Sequence, residues 1–218
     1  MEISSEGGDG SNTSDDPPPQ ESTEPPPGRS PRSHIDRASE AAALACLDRG
    51  EHKQALKLLM DAYGARITAF CLRIVRDREL AKDVRQMVFA KAFEQIDTFE
   101  RRSTLWAWLC GIAYHRCLDE LKRPANTRRE PLDAVEELVD PSAVDDSPER
   151  RAKQRALERC LGKLAPGARA QVLMRYFFGL TDAEIGKLVG ESSTTVQKRI
   201  SRSLPLLRRC LGDKGALR

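Results

Sequence analysis

Aromatic side chains are scarce in this 218-residue chain, at 5% of its residues. Length and composition do not demand a large single core. No apolar run approaches the roughly 20 residues that span a bilayer. Met1 to Pro31 has neither the basic start nor the apolar stretch of a secretory leader. The expectation is a cytoplasmic chain with no membrane partner. Six cysteines occur, at Cys46, Cys71, Cys110, Cys117, Cys160 and Cys210, but none forms a CxxC pair and no second cluster completes a zinc framework. They read as reduced, small buried residues, and so do Cys110 and Cys117 despite the nearby His115. There is no Gly-rich phosphate loop, metal cluster or Cys/His nucleophile arrangement. Asp83 and Asp119 or Glu120 read as solvated charges on helix surfaces rather than as a paired acid and base. No catalytic residue, metal or cofactor is expected, and an enzyme is disfavoured.

What is present is charge, unevenly spread. The formal net charge is only +3. Residues 1–34 carry seven acids against two arginines, and residues 124–148 carry the same. Residues 149–218 carry 16 basic groups against six acidic ones. Such a basic segment predicts a polyanionic partner, bound with release of counterions.

Within that segment, Leu180 to Arg209 reads as two short helices joined by a tight turn. Thr181 and Glu184 have capping-box spacing. Ile185, Leu188 and Val189 share a face. Gly190 stands where a helix stops or turns sharply. Ser192 or Ser193 caps the second helix, whose Val196, Ile200 and Leu204 recur on its inner side. Its other side offers Thr195, Gln197, Lys198, Arg199, Ser201 and Arg202, donors and cations of the kind that meet phosphates and base edges in a major groove. This is a helix-turn-helix pattern. Pro205 is out of keeping with it and predicts a kink near Ser201.

The rest of the chain reads as all-α, since no stretch alternates well enough to suggest a sheet. Residues 1–34, rich in Pro, Ser, Gly and acids, predict a disordered tail. Residues 35–123 hold helices over about Asp36–Asp48, Glu51–Val75 (with Gly64 as a candidate break), Arg78–Ile96 and from Thr104 to the stop at Pro124. The acidic, proline-interrupted segment 124–148 predicts a flexible linker. Its 25 residues extend to at most roughly 85 Å, enough for two domains to reach sites two duplex turns, or roughly 70 Å, apart. Residues 149–218 form the second small helical domain, with Pro166 opening one of its helices. Trp108 fits the apolar stripe of its helix, whereas Trp106 is expected nearer the surface.

Two blocks together resemble one family. Residues 76–123, RDRELAKDVRQMVFAKAFEQIDTFERRSTLWAWLCGIAYHRCLDELKR, resemble the second conserved region of bacterial sigma factors of the extracytoplasmic-function group. The matching features are the D-x-x-Q-x-x-F helix, the F-x-x-R-S loop and the helix containing W-L-x-x-I-A. Leu157 to Arg209 resembles the fourth region with its helix-turn-helix. The resemblance covers most of residues 52–211 and leaves the N-terminal tail outside.

The resemblance implies a protein that binds core RNA polymerase and directs it to promoter DNA. Asp83, Gln86, Met87 and Phe89 match the helix that docks on the polymerase clamp, although Met87 departs from the acidic residue or glutamine usual there. Phe99, Arg101, Arg102, Ser103, His115 and Arg116 match the part that holds the melted −10 element. Phe99 supplies a stacking face, the arginines and Lys122 bind phosphates, and His115 meets a base edge. Gln197, Lys198, Arg199, Ser201 and Arg202 match the helix that reads the −35 element, with Arg199 the more plausible phosphate or structural contact. An anti-sigma protein is a further implied partner. The alternative is a helix-turn-helix regulator that binds duplex DNA without polymerase, for which the first block would have no use.

Overall fold

The computed structural model describes residues 36–124 and 147–213. The tail, and all of the linker but its ends, lie outside them. Eight α-helices and one 3-10 turn account for the described residues, with no strand among them. They are α1 (Arg37–Asp48), α2 (His52–Val75), α3 (Arg78–Gln95), α4 (Leu105–Lys122), α5 (Pro148–Gly162), α6 (Pro166–Tyr176), α7 (Asp182–Val189) and α8 (Ser193–Asp213), with the 3-10 turn over Ile96–Thr98.

Local chemistry accounts for the boundaries. Asp36, Asp77, Thr104 and Ser147 each cap a helix by accepting a backbone N–H three residues on. Pro148 and Pro166 each open a helix, where a missing N–H costs nothing. Gly64 does not break α2, because Tyr63, Ile67, Phe70 and Cys71 bury a continuous stripe around it. Helix α8 runs unbroken through Pro205.

Helices α1–α4 pack around Leu59, Tyr63, Ile67, Val84, Leu109 and Cys117, all fully buried. The buried Glu40 of α1 accepts the Trp106 N–H at 2.9 Å, satisfying an otherwise unpaired donor in the first turn of α4. The two tryptophans exchange the expected roles. Trp106 is wholly buried and contacts Tyr63, while Trp108 is partly exposed and leans on Phe99 with ring centroids 5.4 Å apart. Periodicity identified the helix but not its rotation, which its tertiary partners Tyr63, Phe99 and Phe178 set together. Glu120 is likewise not solvated: it is 4% exposed and pairs with Arg123 at 3.0 Å.

The second group, α5–α8, does not stand apart from the first. Phe178, just after α6, sits edge-on to both Phe70 (5.1 Å) and Trp106 (4.8 Å), so one hydrophobic core runs through both groups. Arg169 of α6 is the polar counterpart. It is 5% exposed, and its guanidinium donates to the carbonyls of Arg73 and Ile74 at the end of α2 and of Leu161, Gly162 and Leu164 at the end of α5. Burial, together with the neighbouring Arg76 charge, pulls its pKa down to about 10, so it stays protonated at neutral pH. Glu158, 2% exposed, accepts from Arg73 at 2.8 Å.

The cysteines depart in part from the reduced-thiol expectation. Cys160 and Cys210 form a disulfide that ties α5 to α8. Cys46, Cys71, Cys110 and Cys117 are free and buried. Burial raises the pKa of Cys110 and Cys117 well above the ordinary thiol value, which makes them poor nucleophiles.

Candidate nucleic-acid interface

The helix-turn-helix forms as its residues dictate. Thr181 Oγ1 accepts from the Glu184 N–H at 3.2 Å, and the Glu184 carboxylate accepts from the Thr181 N–H at 2.8 Å, closing the capping box. Gly190 has φ +73°, the left-handed conformation a side chain would resist. Ser192 is the residue that caps α8, accepting from the Thr195 N–H at 3.2 Å. Val196, Ile200 and Leu207 turn inward. Gln197, Lys198, Ser201 and Arg202 are all exposed along one outer face. Arg199 lies on the flank and is engaged by Glu191 at 2.6 Å.

The residues expected at a melted strand gather around the α3–α4 end of the first group. Phe99 packs on Trp108. Arg101 has φ +57° and pairs with Asp48, while Arg102 pairs with Glu100 at 2.8 Å and stays largely exposed. The Ser103 hydroxyl donates to the Thr104 carbonyl at 3.3 Å. Next to them lies a cleft of about 380 Å³, lined by Lys91, Gln95, Trp108, Ile112, His115, Arg116 and Asp119, with Lys187 and Leu188 on its far side. Cations, an amide and an indole around a concave space can hold a base and its phosphate. His115 Nε2–H donates to the Leu188 carbonyl at 2.9 Å, so α7 abuts this face. Gly111 permits the approach, since a Cβ there would come within 3.0 Å of Leu188 Cδ2. Lys91, Gln95, Lys187 and Leu188 escaped sequence reasoning. The first two have no distinctive spacing, and the last two arrive from a helix some 75 residues away in sequence.

On α3 the structure corrects one assignment. Asp83 and Gln86 are exposed and Met87 is half-buried, but Phe89 is 5% exposed and belongs to the core. Its ring therefore supports α3 from within and is not offered to a partner. The exposed aromatic of the Asp83–Gln86 face is Phe93, at 43%. It lies seven residues, two helical turns, beyond Gln86 and so shares its side of the helix. No helix among the described residues is long and apolar enough to cross a membrane, and no group of metal-binding side chains occurs among them.

Comparison with known proteins bears on both faces. The family model described as Sigma-70 region 2 matches residues 59–127, and that described as Sigma-70, region 4 matches residues 154–205. The chain is similar to the ECF RNA polymerase sigma factor SigK of Mycobacterium ulcerans, at 25% identity over 78% of this chain and 92% of that protein. The SigK of Mycobacterium bovis is 24% identical over 80% and 95%. In fold, it is similar to a chain in the structure of CnrH in complex with the cytosolic domain of CnrY (TM-score 0.56, 20% identity, 80% of this chain and 98% of that one). A second likeness is to a chain in the co-crystal structure of the sigma factor RpoE with the anti-sigma factor NepR from Bartonella quintana (TM-score 0.58, 20% identity, 73% and 96%).

Proposed function

The chain belongs to the sigma-70 family, in its extracytoplasmic-function group, and we propose on that footing that it binds core RNA polymerase and directs promoter recognition at transcription initiation. The observation that carries this reading is the presence, in one chain, of an exposed Asp83–Gln86 face on α3, a cation-lined cleft beside it and a helix-turn-helix with a free basic outer face.

The roles divide by chemistry. Asp83, Gln86 and the partly exposed Met87 form the polymerase-docking edge, and Phe93 supplies its apolar contact. Phe99 and Trp108, with Lys91, Arg102, His115 and Arg116, receive the melted −10 strand, where a flipped base stacks and its phosphates meet cations. Gln197, Lys198, Ser201 and Arg202 read the −35 duplex, since glutamine and arginine can pair bidentately with adenine and guanine. The chain contributes binding and no catalysis of its own. An anti-sigma protein is a third partner, in keeping with the complex with the anti-sigma factor NepR in which one structural relative was solved.

In the packed arrangement His115 touches α7, so the −10 face and the −35 module are neighbours. Two DNA sites two turns apart lie roughly 70 Å from each other. Engaging both requires the two helical groups to separate, and the segment 124–148 is long enough to allow it.

Size-exclusion chromatography with purified core RNA polymerase tests the reading. A co-eluting complex is expected, and the double variant Asp83→Ala/Gln86→Ala should lose it while remaining folded. Failure of the unaltered chain to co-elute, while it still binds duplex DNA, would transfer the chain to the regulators that work without polymerase.

A further inference from the structure

Arg199 stands on the flank of α8, between the buried stripe of Val196 and Ile200 and the exposed face of Lys198 and Arg202. A helix seated in a major groove turns its outer face to the base edges and its flanks to the phosphate rows. An arginine there would ordinarily be a backbone contact. Here its Nη1 donates to both oxygens of Glu191, at 2.7 and 2.6 Å. Glu191 is itself held. Its carboxylate accepts from Nε2 of Gln171, a residue of α6 with no exposure. Its N–H donates to the Gly186 carbonyl at 2.9 Å, and a Cβ on Gly186 would come within 2.6 Å of its carbonyl oxygen. Glu191 is thus tied to the scaffold through both its carboxylate and its backbone, and Arg199 reaches it from the flank of α8.

We propose that Glu191 is a positioning residue of the DNA-reading helix, withdrawing Arg199 from the phosphate backbone and so limiting sequence-independent binding. This rests on the assignment of α8 as the duplex-reading helix. To reach a phosphate, Arg199 has to give up a charge-assisted pair and leave a fixed anion beside the DNA. The pair is neutral where a free arginine would add a cation. Affinity that comes from phosphate contact carries no sequence information, so restraining it leaves base reading by Gln197, Lys198, Ser201 and Arg202 a larger share of the binding.

The test uses the full chain and a fluorescein-labelled 30-bp duplex of arbitrary sequence, with anisotropy followed from low to moderate salt. Glu191→Gln preserves shape and the Gln171 hydrogen bond but removes the charge. It should steepen the log–log salt slope by about 0.9 and tighten binding about eightfold at 0.1 M salt, the effect of one further phosphate contact. The double variant Glu191→Gln/Arg199→Gln should return to the unaltered slope and affinity. If the double variant keeps the gain, the carboxylate acts by its own repulsion and the proposal is overturned. Unchanged or weaker binding by Glu191→Gln, with an unaltered circular dichroism spectrum, also overturns it. Should Glu191→Gln not fold, Glu191→Ser, which shortens the same turn residue, takes its place with the same expectations. Lys198→Gln and Arg202→Gln are run alongside. If neither weakens duplex binding, it is the assignment of α8 that fails, whatever Glu191 does.

Discussion

Replacing Arg169 with methionine removes one guanidinium and keeps most of its volume. Five carbonyls, two at the end of α2 and three at the end of α5, lose a donor at 2.9–3.0 Å. A hydrogen bond to a charged group contributes about 1.5–3 kcal/mol net. Five on one group are not additive, and some carbonyls recover a water once the site loosens. Methionine also escapes the desolvation that lowers the arginine pKa. Each buried acceptor left without a donor costs about 1–3 kcal/mol before the site relaxes, so the expected loss is about 3–5 kcal/mol in all, against a total of about 5–15 kcal/mol for a domain of ordinary stability. Urea unfolding, followed in parallel by far-UV circular dichroism and tryptophan fluorescence, measures it. Trp106 reports on the joint because it touches Phe178. The fluorescence transition should move to lower urea than the helical one as the two helical groups part before they unfold. A midpoint shift worth less than about 1 kcal/mol, with both probes coincident, would refute the claim that this guanidinium joins the two groups.

Three further outcomes follow from the same contacts. Gly111→Leu, at the 3.0 Å approach to Leu188, should push α7 off the cleft and raise anisotropy-measured affinity for a single-stranded oligonucleotide several-fold, and no gain would show that α7 does not limit access. Phe89→Ala should cost about 3–5 kcal/mol in urea unfolding, whereas Phe93→Ala should change stability by under about 1 kcal/mol and weaken co-elution with core polymerase; the reverse pattern would restore Phe89 to the docking surface. The Asp36 carboxyl is held below its ordinary 3.8 by the Ser39 N–H and then by its hydroxyl. Because the folded value is the lower one, this cap stabilises at pH above 3.8 and its contribution disappears as pH falls through the folded value. The stability difference between the unaltered chain and Asp36→Ala should accordingly be present at pH 6 and vanish in strong acid, as read from thermal midpoints.

The amino-acid sequence by itself determined the helices, their caps and the helix-turn-helix. Each of these depends on neighbours within about four residues: Thr181 with Glu184, Ser192 with Thr195, Gly190 at its own φ. It also determined the outer face of α8, because a 3.6-residue period places Gln197, Lys198, Ser201 and Arg202 opposite Val196 and Ile200 wherever the helix goes. Which way α4 turns, with Trp106 inward and Trp108 toward the cleft, was a tertiary decision, because both tryptophans are apolar enough for either side and only Tyr63, Phe178 and Phe99 distinguish them. The same holds for Phe89 against Phe93 on α3. The joining of the two helical groups was settled further still from local sequence. Arg169 looks like one more surface cation in a basic segment until the carbonyl ends of α2 and α5 converge on it, and His115 meets Leu188 across a separation of 73 residues. No local pattern encodes such partners, since burying a charge is favourable only where several distant backbone acceptors arrive together to satisfy it.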